Sequence, residues 1–178
     1  MKQIMFIILF VFCFERCFSQ GFQVQLQAGF GATIVDVKKI TGDEQSKYNT
    51  YSYEFLLQGL IRSKHYKLNW MPELGMHRLY YYSSPVLSKN NTVWTAHAGF
   101  GFEKTIFNYG YFQTGVNVSY FLDGSGIRPG LMGGIGFKIP VSKAIVIPIG
   151  IRLDAVFSKY VPSSFCICTG IQFGKRER

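Results

Sequence analysis

The chain has 178 residues, room for one domain and little more. It is 48% hydrophobic and 17% aromatic but only 16% charged, where a soluble domain carries about 25%. That poverty of charge, with 17 Phe, 11 Tyr and 19 Gly, favours β structure with close backbone contacts. The formal charge of +9 is scattered along the chain, with a local cluster only in the tail GKRER. No recognition helix or zinc-finger spacing accompanies it, which argues against nucleic acid and leaves anionic lipid head groups as the better counterpart.

The first element is a targeting segment. Lys2 precedes the apolar run IMFIILFVFCF, Ile4 to Phe14, which is too short to span a bilayer as a helix. Cleavage after Ser19 places Cys17 and Ser19 at the small-residue positions of a signal-peptidase site, so residues 1–19 read as a signal peptide and 20–178 as the mature domain. An uncleaved anchor is the alternative. A lipoprotein cut before Cys17 is disfavoured by the bulk of Arg16.

Period-two alternation then runs to the end of the chain. In FQVQLQAGF, Phe22, Val24, Leu26, Ala28 and Phe30 face one way and Gln23, Gln25, Gln27 and Gly29 the other. TYSYEFLLQGLIR sets Tyr51, Tyr53, Phe55, Leu57 and Ile61 against Glu54, Gln58 and Arg62. LNWMPELGMHRLYYY sets Leu68, Trp70, Leu74 and Met76 against Asn69, Glu73, Gly75 and His77, with Pro72 expected to weaken the strand or mark a bulge. VWTAHAGFGFE sets Trp94, Ala96, Ala98, Phe100 and Phe102 against Thr95, His97, Gly99, Gly101 and Glu103.

The second half repeats the pattern. GYFQTGVNVSYF opposes Phe112, Val116, Val118 and Tyr120 to Gln113, Gly115, Asn117 and Ser119. PGLMGGIGFKIP opposes Leu131, Ile135, Phe137 and Ile139 to Gly134, Gly136 and Lys138. AIVIPIGIRLDAVF opposes an isoleucine row to Gly150, Arg152 and Asp154. SFCICTGIQFG opposes Phe165, Ile167, Thr169, Ile171 and Phe173 to Gly170 and Gln172. Cys166 and Cys168, two apart on one face, are badly placed for a mutual disulfide and lack His partners for a metal; they read as small packing residues.

Eight long strands with alternating short and long links describe an all-β, antiparallel up-and-down barrel. Orientation follows from the polar face. A soluble barrel would carry many Lys, Glu and Asp there. Here it is mainly Gly, Gln, Asn and Ser, with a few charges of both signs. Such a face suits a narrow lumen, and the continuous apolar face suits hydrocarbon. Trp94, Tyr80, Tyr120 and Phe121 near the long loops, and Phe107, Tyr109 and Phe112 near a short turn, are expected to form two interfacial girdles. A soluble calyx-like barrel or a sandwich is the alternative. A lumen network of Glu54, Arg62, Glu73, His77, His97, Glu103, Lys138, Arg152 and Asp154 is expected, because interior polar groups must be satisfied.

With these strands in view, the chain resembles the small outer-membrane β-barrel proteins of Gram-negative bacteria, the "porin family" or outer-membrane β-barrel domain proteins. The resemblance rests on the ending CFSQ, the strands AGFGATI and HAGFGFE, and the run from Tyr111 to Asp154, and covers about Gln20 to Gly174. It implies residence in the outer membrane, contact with outer-membrane lipid, and surface loops, Ile40–Asn49 and Tyr82–Asn91, open to surface or periplasmic partners. Members often end on an aromatic residue read by the insertion machinery. Here GKRER follows Phe173, so the signal is internal or the tail extends into the periplasm. No cofactor, metal or catalytic residue is expected. The expected role is structural or interactive, with a narrow, plugged lumen. Passive solute transport, and lipid modification using His77 or His97, are the alternatives. His65 falls in a turn. GSG and GFG precede no helix and read as turn and lumen glycines.

Overall fold

The structure is a computed structural model that describes residues 21–36, 47–63, 68–80, 92–122, 124, 126–157 and 163–174. The expected signal peptide, the loops Ile40–Asn49 and Tyr82–Asn91 (but for the backbone of residues 47–49), His65 and the last four residues of the tail lie outside them.

Eight strands run in chain order: β1 (Phe22–Asp36), β2 (Lys47–Arg62), β3 (Leu68–Tyr80), β4 (Thr92–Ile106), β5 (Gly110–Phe121), β6 (Gly126–Pro140), β7 (Ile145–Val156) and β8 (Ser163–Phe173). Each pairs antiparallel with its sequence neighbour, and β8 returns to β1, so the sheet closes as a barrel. Closure leaves no strand edge, which hydrocarbon demands because it offers no water to an unpaired N–H or C=O. The start of β1, the end of β8, the Phe107–Tyr109 turn and the Val141–Ala144 turn share one end, the short-turn end; Gly174 N–H donates to the Ala144 carbonyl at 3.1 Å there. At the other, long-loop end Gly124 and Gly126 turn the chain with φ of 82° and 102°, a region open to glycine.

The alternation resolves as the apolar face outward. Leu26, Phe30, Phe55, Leu74, Phe100, Val116, Ile135, Ile151 and Ile167 are exposed, whereas Gln25, Gln58, Glu54, Glu73, Glu103, Asn117 and Arg152 are buried. An exposed surface this apolar and continuous far exceeds what a water-soluble monomer tolerates. The architecture is an eight-stranded transmembrane β-barrel.

Three details depart from the sequence reading. Phe121, expected in a girdle, points inward with 0% exposure and packs with Leu79 and Val156. It follows the inward parity of Gln113 and Ser119 on β5, which outranks its closeness to the strand end. Leu56, Leu60, Met71 and Met132 are also inward and buried, Leu60, Met71 and Met132 as one small apolar cluster. Pro72 makes no bulge. The β2–β3 register is the same on both sides of it, Gln58↔Glu73 and Ile61↔Trp70, with only the pairings between them missing. Proline has no N–H to give that ladder, and the strand stays straight because its other edge pairs Pro72 with Phe100.

The girdle at the short-turn end consists of Phe107, 92% exposed at φ 56°, with Tyr109 and Phe112. Trp70, Phe100 and Phe102 pack beside it, with ring centroids of Trp70 5.5 Å from Phe100 and 4.7 Å from Phe102. At the long-loop end Trp94 and Tyr120 are exposed, and Phe30 stacks on Tyr51 at 5.6 Å.

Candidate functional site: the charged lumen

Arg152 sits on the inward row of β7 and is buried. Its Nε donates to Asp154 Oδ2 at 2.6 Å and its Nη2 to Asp154 Oδ1 at 2.9 Å. Across the lumen, Nη1 and Nη2 donate to the two oxygens of Glu73 on β3 at 2.8 and 2.6 Å, a bidentate fork. Nε is also 2.9 Å from Glu54 Oε1 on β2, but that oxygen accepts no aligned hydrogen bond, so the contact is one of charge attraction alone. One guanidinium thus faces three carboxyl groups from three strands.

Neutral side chains extend the cluster. Gln25 Nε2 on β1 donates to Gln58 Oε1 at 2.6 Å, and Gln58 Nε2 donates to Glu73 Oε2 at 2.8 Å. Asn117 Nδ2 on β5 donates to Asp154 Oδ1 at 3.1 Å. His97 Nε2 on β4 lies 3.4 Å from Glu73 Oε1. The connected groups come from β1, β2, β3, β4, β5 and β7, so the cluster fills the cross-section. Inside a low-dielectric wall each of these links is strengthened, while Gln25 Oε1, Glu54 Oε1, His97 Nε2 and Asn117 Oδ1 make no aligned hydrogen bond among the described residues.

A second cluster lies nearer the short-turn end. Glu103 Oε1 accepts from Lys138 Nζ at 2.5 Å and from Asn69 Nδ2 at 3.0 Å, and Oε2 accepts from Gln113 Nε2 at 3.0 Å. Asn69, Glu103 and Gln113 stand side by side in register on β3, β4 and β5. Lys138 also lies 5.3 Å from the centre of the Tyr111 ring.

Of the nine residues assigned to the lumen from sequence, Glu54, Glu73, His97, Arg152 and Asp154 meet in the first cluster and Glu103 and Lys138 in the second. His77 is buried at the margin of the first cluster, its Nε2 2.6 Å from Ser52 Oγ. Arg62 keeps the inward parity of β2 but, as its last residue, is exposed at the barrel mouth. Sequence reasoning left out of this network Gln25, Gln58, Asn69, Gln113 and Asn117, which share the inward rows of these charges, and Ser52, which it never placed.

Glu54, His77 and Asp154 each offer a ligand atom within 4.8 Å of the others. The same Glu54 and Asp154 carboxylates already hold Arg152 at 2.9 and 2.6 Å. A divalent cation would have to displace the guanidinium, so the set does not fit a resident metal. The Ser52–His77 contact is the arrangement nearest to nucleophilic chemistry among the described residues. Ser52 Oγ also lies 3.1 Å from the Arg78 carbonyl oxygen. A hydroxyl has one proton, so Ser52 can donate to the Arg78 carbonyl or to His77 Nε2 but not to both, and the His77 tautomer sets which. Ser52 is fully buried as well.

The sequence matches no protein-family profile and no curated protein. Solved structures share its fold. Neisserial surface protein A aligns at TM-score 0.52 and 15% identity, over 85% of this chain and 96% of that one. Ail, the attachment invasion locus protein of Yersinia pestis, aligns at TM-score 0.50 and 12% identity, over 85% of this chain and 98% of that one. At these identities the likeness is one of fold.

Proposed function

We propose that this chain is an integral outer-membrane barrel of a Gram-negative bacterium, closed to solutes, with a structural or surface-interaction role and no enzymatic one. Residues 1–19 direct export and are removed. The observation that carries the closed-lumen reading is the Arg152 fork to Glu73, which ties β7 to β3 across the interior at 2.6 and 2.8 Å. Buried charges held this way leave no free path along the axis without breaking ion pairs. The outward apolar belt supports lipid contact. The two structural neighbours, a surface protein and an attachment invasion locus protein by name, support work done at the cell surface. On this reading the loops between β1 and β2 and between β3 and β4 carry partner contacts, and the strands serve to hold them.

Planar bilayers containing the refolded mature chain test the closed lumen. The expected result is no steady unitary conductance. Sustained channels from the unsubstituted protein would overturn closure and favour passive solute transport. A fluorophosphonate probe tests the absence of serine chemistry. No covalent labelling of Ser52 is expected, and labelling lost in Ser52→Ala would favour a lipid-modifying enzyme.

A further inference from the structure

Among the residues whose side chains are described, every exposed charge is basic. Glu54, Glu73, Glu103 and Asp154 are all buried in the lumen. Arg62, Lys104 and Lys143 are exposed, and all three belong to the short-turn end: Arg62 ends β2, Lys104 is two residues from the end of β4, and Lys143 is in the turn between β6 and β7. Among the residues whose side chains are described, no carboxylate is exposed at either end. Lys104 and Lys143 therefore give the short-turn rim cations that face its surroundings, while the described acids lie inside the lumen.

Lys104 is the most informative of the three. It lies on the outward, lipid-facing row, paired with Leu68 on one side and Phe112 on the other. One outward position further toward the middle of the barrel, Phe102 packs on Trp70 at 4.7 Å. Beyond Lys104 comes the exposed Phe107–Tyr109 turn. A cation inside an aromatic belt sits where hydrocarbon gives way to head groups; its stem lies along apolar neighbours and its ammonium reaches the phosphate layer. A zwitterionic head group brings its own cation to that layer, and an anionic one does not.

We propose that the short-turn rim selects anionic phospholipid head groups in the leaflet it faces, with Lys104 as the principal ligand and Lys143 adding to the field. This rests on the membrane-barrel reading above. A single Lys near such a surface favours the anionic lipid by about five-fold at low salt.

The two tryptophans provide the test, because Trp70 marks the short-turn belt and Trp94 the long-loop belt. The Trp94→Phe protein is refolded into mixed bilayers of phosphatidylcholine and phosphatidylglycerol, with bromine on the acyl chains of one lipid at a time. Quenching of Trp70 gives the relative association constant of the two lipids at that belt. The expected result is a preference of about five-fold for phosphatidylglycerol, reduced toward unity by Lys104→Gln and by high salt and unchanged by Arg78→Gln at the other end. Equal quenching by the two lipids, or a preference that survives Lys104→Gln, would overturn the proposal. Failure of the membrane reading looks different: neither brominated lipid would quench Trp70.

Discussion

Replacing Arg152 by Met removes the charge at the centre of the lumen while keeping an unbranched side chain that fills much of the same space. Five contacts to carboxylates disappear: two to Asp154 at 2.6 and 2.9 Å, two to Glu73 at 2.8 and 2.6 Å, and one to Glu54 at 2.9 Å, together with the weaker Nη2 contact to Met132 Sδ at 3.4 Å. What remains is uneven. Glu73 keeps Gln58 at 2.8 Å and Asp154 keeps Asn117 at 3.1 Å, but Glu54 keeps only the Cys168 thiol at 3.7 Å. Stripping one partner from a buried ion pair costs about 3–5 kcal/mol. Three carboxyl groups lose their cation here, so the upper part of that range is expected. Equilibrium unfolding by urea in thin lipid bilayers, followed by tryptophan fluorescence, measures it. Arg152→Met is expected to lower the unfolding free energy by about 5 kcal/mol, roughly five-thousand-fold in the equilibrium constant. Adding Glu73→Gln should restore about half, because one stranded charge is then gone. A loss under about 1 kcal/mol for the single variant, well below the buried-pair range, would refute the view that this network holds the barrel closed.

Two further outcomes follow from the packing of small residues. A Cβ on Gly150 would come 2.6 Å from the Ile135 carbonyl oxygen and 3.1 Å from the Gly136 Cα, so Gly150→Ala is expected to cost about 1–3 kcal/mol by overpacking. Gly133→Ala, whose Cβ would meet nothing closer than the Gln113 carbonyl oxygen at 3.8 Å, is expected to change stability by less than about 0.5 kcal/mol in the same unfolding assay. Cys166 and Cys168 are free thiols buried on the lumen face of β8, so a maleimide should label neither in the folded protein and both after unfolding, read by mass. Rapid labelling in the folded state would place β8 the other way round.

Strand number, order of alternation and the facing of each row were legible because the chemistry differs sharply between odd and even positions. FQVQLQAGF states its two faces without help from any other segment. The alternation was mute where both parities are apolar. Leu56 and Leu57 stand together in FLLQGL; the alternation sets Leu57 on the apolar outward row, but only the structure sends Leu56 inward. Phe121 ends an alternating run beside the outward Tyr120; the parity of Gln113 and Ser119 points it inward, but its aromatic ring at the strand end suggests a girdle residue. The partners within the lumen were not legible either. Arg152 meets Glu73 from 79 positions away, and Gln58 links to both Gln25 and Glu73, because barrel register sets which inward side chains share a level. One-dimensional spacing carries parity but not register. Pro72 is expected to weaken the strand or mark a bulge because proline removes a donor; pairings to β2 are missing beside it, while the intact ladder to β4 keeps the register.

The central claim is that the apolar face of every strand touches hydrocarbon while the amide and glycine face fills the interior. Methyl-labelled protein in detergent micelles measures this directly, through cross-relaxation between side-chain methyl groups and the acyl chains. Ile135, Ile151 and Ile167, exposed on β6, β7 and β8, are predicted to give strong acyl-chain cross-peaks, and Leu56, Leu60 and Met132, buried in the lumen, to give none. Acyl-chain contacts at the second set and water contacts at the first would contradict it.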